Sequence, residues 1–326
     1  MVSDTGLILG GFLAGMGLVA LVLRVTARST LLAQPNERSL HGTPTPTMGG
    51  LGIAGVVLAY LGWAVTADET AMGWLAALAI MAALGLADDL RNLSRVMRLV
   101  VQGVCAAVVI ALVTGVDDSW LLMGVLWLGT LWFVNLYNFM DGIDGLAGAQ
   151  CVLFCLGVQV LTGGIPGWPG AVVWLAGAAT AGFLYFNWAP ARIFMGDVGS
   201  AFLGLLLAVV ALHLWHGEQL ALTTSLILLA AFWVDASYTL AIRVLTGQRF
   251  ADAHRSHMYQ HLATRFGHAA ITGGFVVLYL VWLLPLAWVN ERFLSDDAFL
   301  QIGCLFVSAL PIGVSCVATR AGMARR

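Results

Sequence analysis

Residues 198–215 read V-G-S-A-F-L-G-L-L-L-A-V-V-A-L-H-L-W. The run contains no Asp, Glu, Lys or Arg. As a helix its eighteen residues would extend roughly 27 Å, at about 1.5 Å per residue. That is close to the ~30 Å hydrocarbon thickness of a bilayer. Ten further apolar runs surround it, near 5–25, 49–66, 72–90, 96–115, 119–139, 143–161, 169–187, 220–242, 269–289 and 298–317. The composition agrees: of 326 residues 60% are hydrophobic and 10% charged, with a mean hydropathy of +0.91. Soluble chains carry about 25% charged residues. Disorder, a strongly charged tail protein and an ordinary soluble enzyme are therefore excluded. The expected fold is all-α, a polytopic transmembrane helical bundle of about 11 helices in a single domain over 1–326.

Arginine placement orients the bundle. All 15 basic residues are Arg. With the N-terminus outside, the inner loops hold Arg28, Arg38, Arg91, Arg95, Arg192, Arg249, Arg255, Arg265, Arg320, Arg325 and Arg326, while Arg24, Arg98 and Arg243 lie at inner span ends. Only Arg292 falls outside, a strong positive-inside bias that puts the C-terminus in the cytoplasm. The first run has Asp4 and no basic residue before it, so it is read as a span rather than a cleaved leader. The net charge of −2 gives no reason to expect a nucleic-acid partner. The five cysteines lie inside apolar runs and read as inert buried thiols.

Five polar clusters interrupt this pattern, and the orientation puts all of them on the cytoplasmic face. The loop 34–50 carries Arg38 and His41, suited to an anion, and ends in Gly49-Gly50, where backbone can approach a ligand. Asp88-Asp89 closes the third run. Adjacent helical side chains point about 100° apart, so one acid is expected to bind a metal while the other orients a proton or substrate. Arg91, Arg95 and Arg98 follow at a spacing that would share one helix face. Asn138, Asp141 and Asp144 are spaced by three, as on one side of a helix, and suit a hydrated cation or a sugar nucleotide. Such polar density beside a span is costly without a function. Asn187 opens a stretch leading to Asp197, which sits between Gly196 and Gly199 at a helix start, as a ligand or a cap. Finally His254, His257 and His261 would share a helix face beside Arg255. They suit either zinc or a diphosphate. Acids and amides with His and Arg on one membrane face match the joining of a phosphorylated lipid to an anionic donor, with a divalent cation offsetting phosphate charge.

The stretches P-T-P-T-M-G-G at 44–50, A-D-D-L at 87–90, N-F-M-D-G-I-D-G at 138–145 and F-N-W-A-P-A-R-I-F-M-G-D-V-G-S at 186–200, with the histidine loop, resemble the polyprenyl-phosphate N-acetylhexosamine-1-phosphate transferases. The resemblance implies transfer of a sugar-1-phosphate from a UDP-N-acetyl amino sugar to undecaprenyl phosphate, with UMP leaving. It implies Mg²⁺, replaceable by Mn²⁺, and a multi-pass enzyme of the bacterial inner membrane whose site faces the cytoplasm among membrane lipids. Homodimers are common among relatives. By motif position, Asp197 matches the principal metal carboxylate. Asp88 and Asp89 match the acidic pair, Asp88 being assigned to the metal as well and one of the two serving as base. Asp141 and Asp144 join them as catalytic acids, with Asn138 in the cleft and Asn187 near the nucleotide. Arg38, His41, His254, Arg255 and His257 complete the expected substrate contacts.

The chain departs from the peptidoglycan branch, whose lysines are absent; Arg38 and one of Arg91, Arg95 or Arg98 would replace them. With P-N-E-R-S-L-H upstream and A-H-R-S-H-M-Y-Q-H downstream, it resembles the O-antigen and capsule-initiating branch, which includes users of 6-deoxyhexosamines. The alternatives are the phospho-N-acetylmuramoyl-pentapeptide transferase, an intramembrane prenyltransferase and a transporter. The prenyltransferase expects a D-D-x-x-D motif, which Asn92 breaks. A transporter expects charge inside the bilayer, for which Asp235 is the main candidate.

Overall fold

In lipid, backbone polar groups must be satisfied within the chain, and the apolar runs accordingly fold as helices. The computed structural model describes residues 3–26, 32–33, 44–114, 119–249 and 254–323. In chain order these form α1 (Asp4–Thr26), β1 (Leu32–Ala33), β2 (Thr45–Pro46), α2 (Gly50–Ala64), α3 (Ala71–Arg91), α4 (Arg95–Thr114), α5 (Trp120–Met140), α6 (Leu146–Thr162) and α7 (Gly167–Asn187). Then come α8 (Asp197–His216), α9 (Leu222–Leu228), α10 (Ala230–Leu245), α11 (Met258–Phe266), α12 (His268–Leu278), α13 (Leu284–Phe293) and α14 (Ala298–Thr319), with a π-helical turn between α12 and α13. The two strands form one short antiparallel pairing, Leu32 opposite Pro46.

The chain is an all-α polytopic bundle. Among the described residues, eight segments are long and apolar enough to cross a bilayer: α1, α3, α4, α5, α7, α8, α14 and the continuous stretch His268–Phe293. The run expected at 220–242 is instead the pair α9 and α10, bent by 79°. Gln150 Nε2 and Trp233 Nε1 donate to the carbonyls of Leu228 and Leu226, which satisfies backbone near the bend. The runs at 49–66 and 143–161 become α2 and α6, apolar but of only 15 and 17 residues. Each expected run is therefore a helix or bent pair, and two of the eleven are apolar helices shorter than the usual span of roughly 20 residues.

The decisive run becomes α8, buried along nearly its whole length and packed on α2, α3, α4, α5 and α6. Lipid supplies little hydrophobic drive between helices, so close approach of backbones matters. A Cβ on Gly85 of α3 would stand 2.5 Å from the Cα of Val198 in α8. A Cβ on Gly50 of α2 would collide with the backbone of Gly199. Two helices, α2 and α3, thus converge on the first turn of α8. All five cysteines are buried free thiols.

This packing gives a test. Gly85→Leu should force α3 away from α8 and destabilise the protein by about 1–3 kcal/mol, the usual scale of overpacking. Gly62→Leu, where a Cβ would meet open space, should leave the thermal midpoint in detergent unchanged. Equal midpoints for the two variants would contradict the contact.

Candidate active site

The site begins where α3 ends. Asn92 adopts a left-handed conformation, φ 50°, which stops the helix. Asp88, 6% exposed, holds the turn: its Oδ1 accepts the Leu93 N–H at 2.7 Å. Its Oδ2 accepts from Arg98 Nη1 at 2.7 Å, and the same Nη1 lies 3.4 Å from Asp197 Oδ2. One guanidinium thus bridges carboxylates from α3 and α8. The expected single face of Arg91, Arg95 and Arg98 does not form, because the break at 92–94 separates Arg91 from the other two. Arg98 is the arginine at the acids, Arg95 lines the neighbouring cavity, and Arg91 is exposed at the end of α3.

Asp89 points elsewhere. Its two oxygens accept the N–H groups of Asp197 at 2.9 Å and Val198 at 3.0 Å. A helix N-terminus leaves such donors unpaired, and a carboxylate there is favourable. Asp89 is therefore a cap for α8 supplied by another helix. Asn138 Nδ2 donates to Asp197 Oδ1 at 2.9 Å, which completes the ring around Asp197. The segment 44–50 braces the same corner. Phe194 N–H donates to Pro46 O, and the N–H groups of Gly49 and Gly50 donate to Phe194 O and Met195 O. Arg38 and His41 lie outside the described residues.

The expected helical face of Asn138, Asp141 and Asp144 also fails. α5 stops at Met140, so only Asn138 keeps helical direction toward the cavity. Asp144 turns to the opposite side, where Oδ2 accepts the Ala191 N–H at 3.0 Å and Oδ1 lies 3.2 Å from His268 Nδ1. Asp141 caps the end of α5 and does not line the cavity. Burial first, then the charges of Asp197, Asp89 and Asp144, push its carboxyl well above the usual range. Asn187, 4% exposed, uses both ends internally: Oδ1 accepts the Gly145 N–H and Nδ2 donates to Ile193 O, each at 2.9 Å. It ties the loop after α5 to the loop before α8, and this geometry does not present it to a nucleotide.

The histidines divide as well. Residues 254–256 belong to no helix, His257 precedes the first turn of α11 with extended dihedrals, and only His261 is inside it. His261 Nδ1 lies 2.9 Å from Thr319 O, on α14. His254 and His257 stay together, with ring centroids 4.9 Å apart, and both line the cavity. Arg255 is half-buried between them in sequence and does not line it. Among the described residues no group of three His, Cys, Asp or Glu side chains is arranged to hold a metal, so the three-histidine zinc alternative is not formed. Burial, with His257 and Arg243 nearby, pushes His254 down to about 3, against the pull of Asp235.

The cavity measures about 690 Å³. Asp88, Asp197, Asn138, Arg95 and Arg98 lie on its wall with His254, His257 and Gln260. Leu99, Leu128, Leu131, Trp132 and Leu240 make an apolar part. Three further polar groups had no role from the sequence. Gln102 and Asn135 line the cavity and are joined, Asn135 Nδ2 donating to Gln102 Oε1 at 3.0 Å. His268 is the partner of Asp144. The available signal was an amide inside an apolar run, which is costly without a use.

A membrane bundle with two acids from different helices beside an amphipathic cavity has the layout of a membrane-embedded enzyme. Comparison with known proteins specifies it. The profile of "Glycosyl transferase family 4" matches residues 71–215. A "probable undecaprenyl-phosphate N-acetylglucosaminyl 1-phosphate transferase" of Bacillus subtilis is 30% identical over 264 residues, covering 74% of this chain and 72% of the relative. A phospho-N-acetylmuramoyl-pentapeptide-transferase of Thermosynechococcus vestitus is 32% identical, covering 62% and 61%. A decaprenyl-phosphate N-acetylglucosaminephosphotransferase of Mycobacterium tuberculosis is 28% identical, covering 89% and 83%. The chain belongs to glycosyl transferase family 4, the polyprenyl-phosphate N-acetylhexosamine-1-phosphate transferases, and is a multi-pass membrane transferase.

The depressed His254 has a measurable consequence. The unfolded imidazole takes a proton near 6.5 and the folded one near 3, so between these values the unfolded state binds more protons. The stabilisation is complete above 6.5 and is lost as pH falls toward 3. Melting temperatures in detergent should fall across this window, and His254→Gln should flatten the fall. Superimposable profiles would remove His254 as its source.

Proposed function

We propose that the protein transfers a sugar-1-phosphate from a UDP-N-acetyl amino sugar, a hexosamine or 6-deoxyhexosamine, to undecaprenyl phosphate. UMP leaves, and the lipid-linked product starts a surface polysaccharide of the O-antigen or capsule type. The reaction takes place at the cytoplasmic face of the bacterial inner membrane. The observation that carries this reading is the convergence of Asp88 and Asp197 on Arg98 at the wall of a cavity that is polar on one side and apolar on the other. An acceptor with a phosphate and a prenyl chain needs both sides.

The residues fit Mg²⁺. Asp197 and Asp88 are hard oxygen donors close enough to share one cationic group. Mg²⁺ commonly takes one or two carboxylates together with substrate phosphates. Bound there, it would polarise a phosphoryl oxygen and offset phosphate charge. Asp89 keeps Asp197 in place and Asn138 orients its carboxylate. Arg98 is positioned to meet a phosphate, and His254 and His257 face the cavity where a diphosphate would lie. An acceptor phosphate oxygen forms a bond to the sugar-bearing phosphorus. The bond from that phosphorus to the bridging oxygen breaks, and UMP carries the bridging oxygen away. A phosphomonoester loses its second proton at about pH 6. Little base assistance is then needed, and positioning dominates. Asp88, facing the cavity, is the acid of the pair placed to take a residual proton.

The geometry disfavours transport, since Asp235 is fully buried and occupied in capping α11. The peptidoglycan alternative is decided by the donor. Purified protein with undecaprenyl phosphate, Mg²⁺ and a panel of UDP-amino sugars should release UMP with an N-acetylhexosamine or 6-deoxy donor. Activity with UDP-N-acetylmuramoyl-pentapeptide alone would overturn the branch. Asp197→Asn should reduce turnover to background in folded protein, and His257→Ala should raise the donor KM or lower kcat. A normal rate for Asp197→Asn would remove it from the site.

A further inference from the structure

Asp235 is an acid buried completely in α10, with no part in the chemistry described above. Its Oδ1 accepts the Met258 N–H at 2.9 Å and the Thr239 hydroxyl at 3.1 Å, and its Oδ2 accepts the Tyr259 N–H at 3.0 Å. It therefore caps α11 from outside, and the residue just before that cap is His257. The His257 ring is 2% exposed and stacks between Phe139, at 6.4 Å, and Tyr259, at 5.7 Å. Its Nδ1 is buried and makes no hydrogen bond of good geometry among the described residues: it lies 3.7 Å from Asp235 Oδ1, while the side chain also faces the Gln260 N–H in a loose capping box. A buried polar atom left unpaired costs about 1–3 kcal/mol, and functional hydrogen bonds are often long before a ligand binds.

We propose that Asp235 is a positioning residue. It fixes the start of α11 through two backbone N–H groups and orients the His257 ring through Nδ1, so that Nε2 is the ring atom left for a ligand in the cavity. A His ring has two distinct nitrogens, and the bond made by one decides what the other can do. The proposal rests on the functional reading above in assigning that ligand as the donor diphosphate. Tyr259 reinforces the arrangement, its hydroxyl donating to Phe139 O at 2.8 Å and so tying α11 to the end of α5.

The test is a double-mutant cycle on the full chain, read as donor kcat/KM for UMP release. Asp235→Asn should lower it on the order of tenfold, the scale of losing an outer-shell partner of a functional histidine. In a His257→Ala background the same change should cost less than about twofold, because contacting residues that act as a unit are not additive. Independent, multiplying losses would overturn the proposal, as would an unaffected single variant. Nitrogen NMR of histidine-labelled wild-type protein, with the His257 signal assigned by its loss in His257→Ala, decides the point without needing Asp235→Asn to fold. A proton on Nδ1 is expected, and a bare Nδ1 overturns the proposal. Absence of UMP release by the wild-type protein would defeat the functional reading, while the NMR result would still judge the positioning role.

Discussion

The grip of Asp89 on the first two N–H groups of α8 is the contact on which the rest of the site depends. The start of a helix in a low-dielectric setting needs acceptors for its free donors. Here α3 supplies them, and so the end of α3 is held in register with the start of α8. Gly85 and Gly50 permit the approach by having no side chain where backbones meet. Once that register is set, the preceding residue of α3 has no choice of direction. Asp88 turns away from the cap and meets Asp197 across Arg98. The acids that look redundant as a pair in the sequence do different work, one closing a helix and the other facing the cavity.

The same device appears again at Asp235 and α11. Both arms of the cavity, the acidic corner and the histidine segment, are thus anchored by carboxylates that cap a helix from a neighbouring one. This explains why an acid such as Asp235 is tolerated at full burial: its charge is met by two backbone N–H groups and a hydroxyl. It also explains why charge inside an apolar run is a poor guide to transport in this chain.

Much of the fold was legible because a bilayer demands long apolar helices and leaves few alternatives. Asp88, Asp197, Asn138, His254 and His257, which line the cavity, stood out in the sequence because polar density beside a span is conspicuous. What failed was direction. Spacing of three or four residues places side chains together only while a helix continues, and helices stop at Arg91 and Met140 while α11 begins only at Met258. The arginine, aspartate and histidine series each cross one of these ends and split. The bracing contacts of Asn187 were invisible for a different reason, since nothing in a sequence shows that both ends of an amide have partners within the chain. The pairing of Asp144 with His268 links residues 124 apart, beyond any local pattern.

The family is established by similarity, and the cavity beside Asp88 and Asp197 is where its chemistry is proposed to occur. The central claim is that Asp88 and Asp197 form one cation site from two helices. Manganese binding, followed by electron paramagnetic resonance on purified protein with UMP present, tests it without requiring turnover. The account predicts a bound Mn²⁺ signal that is lost in both Asp88→Asn and Asp197→Asn, with each variant still folded. Retention of the signal in both variants would contradict it.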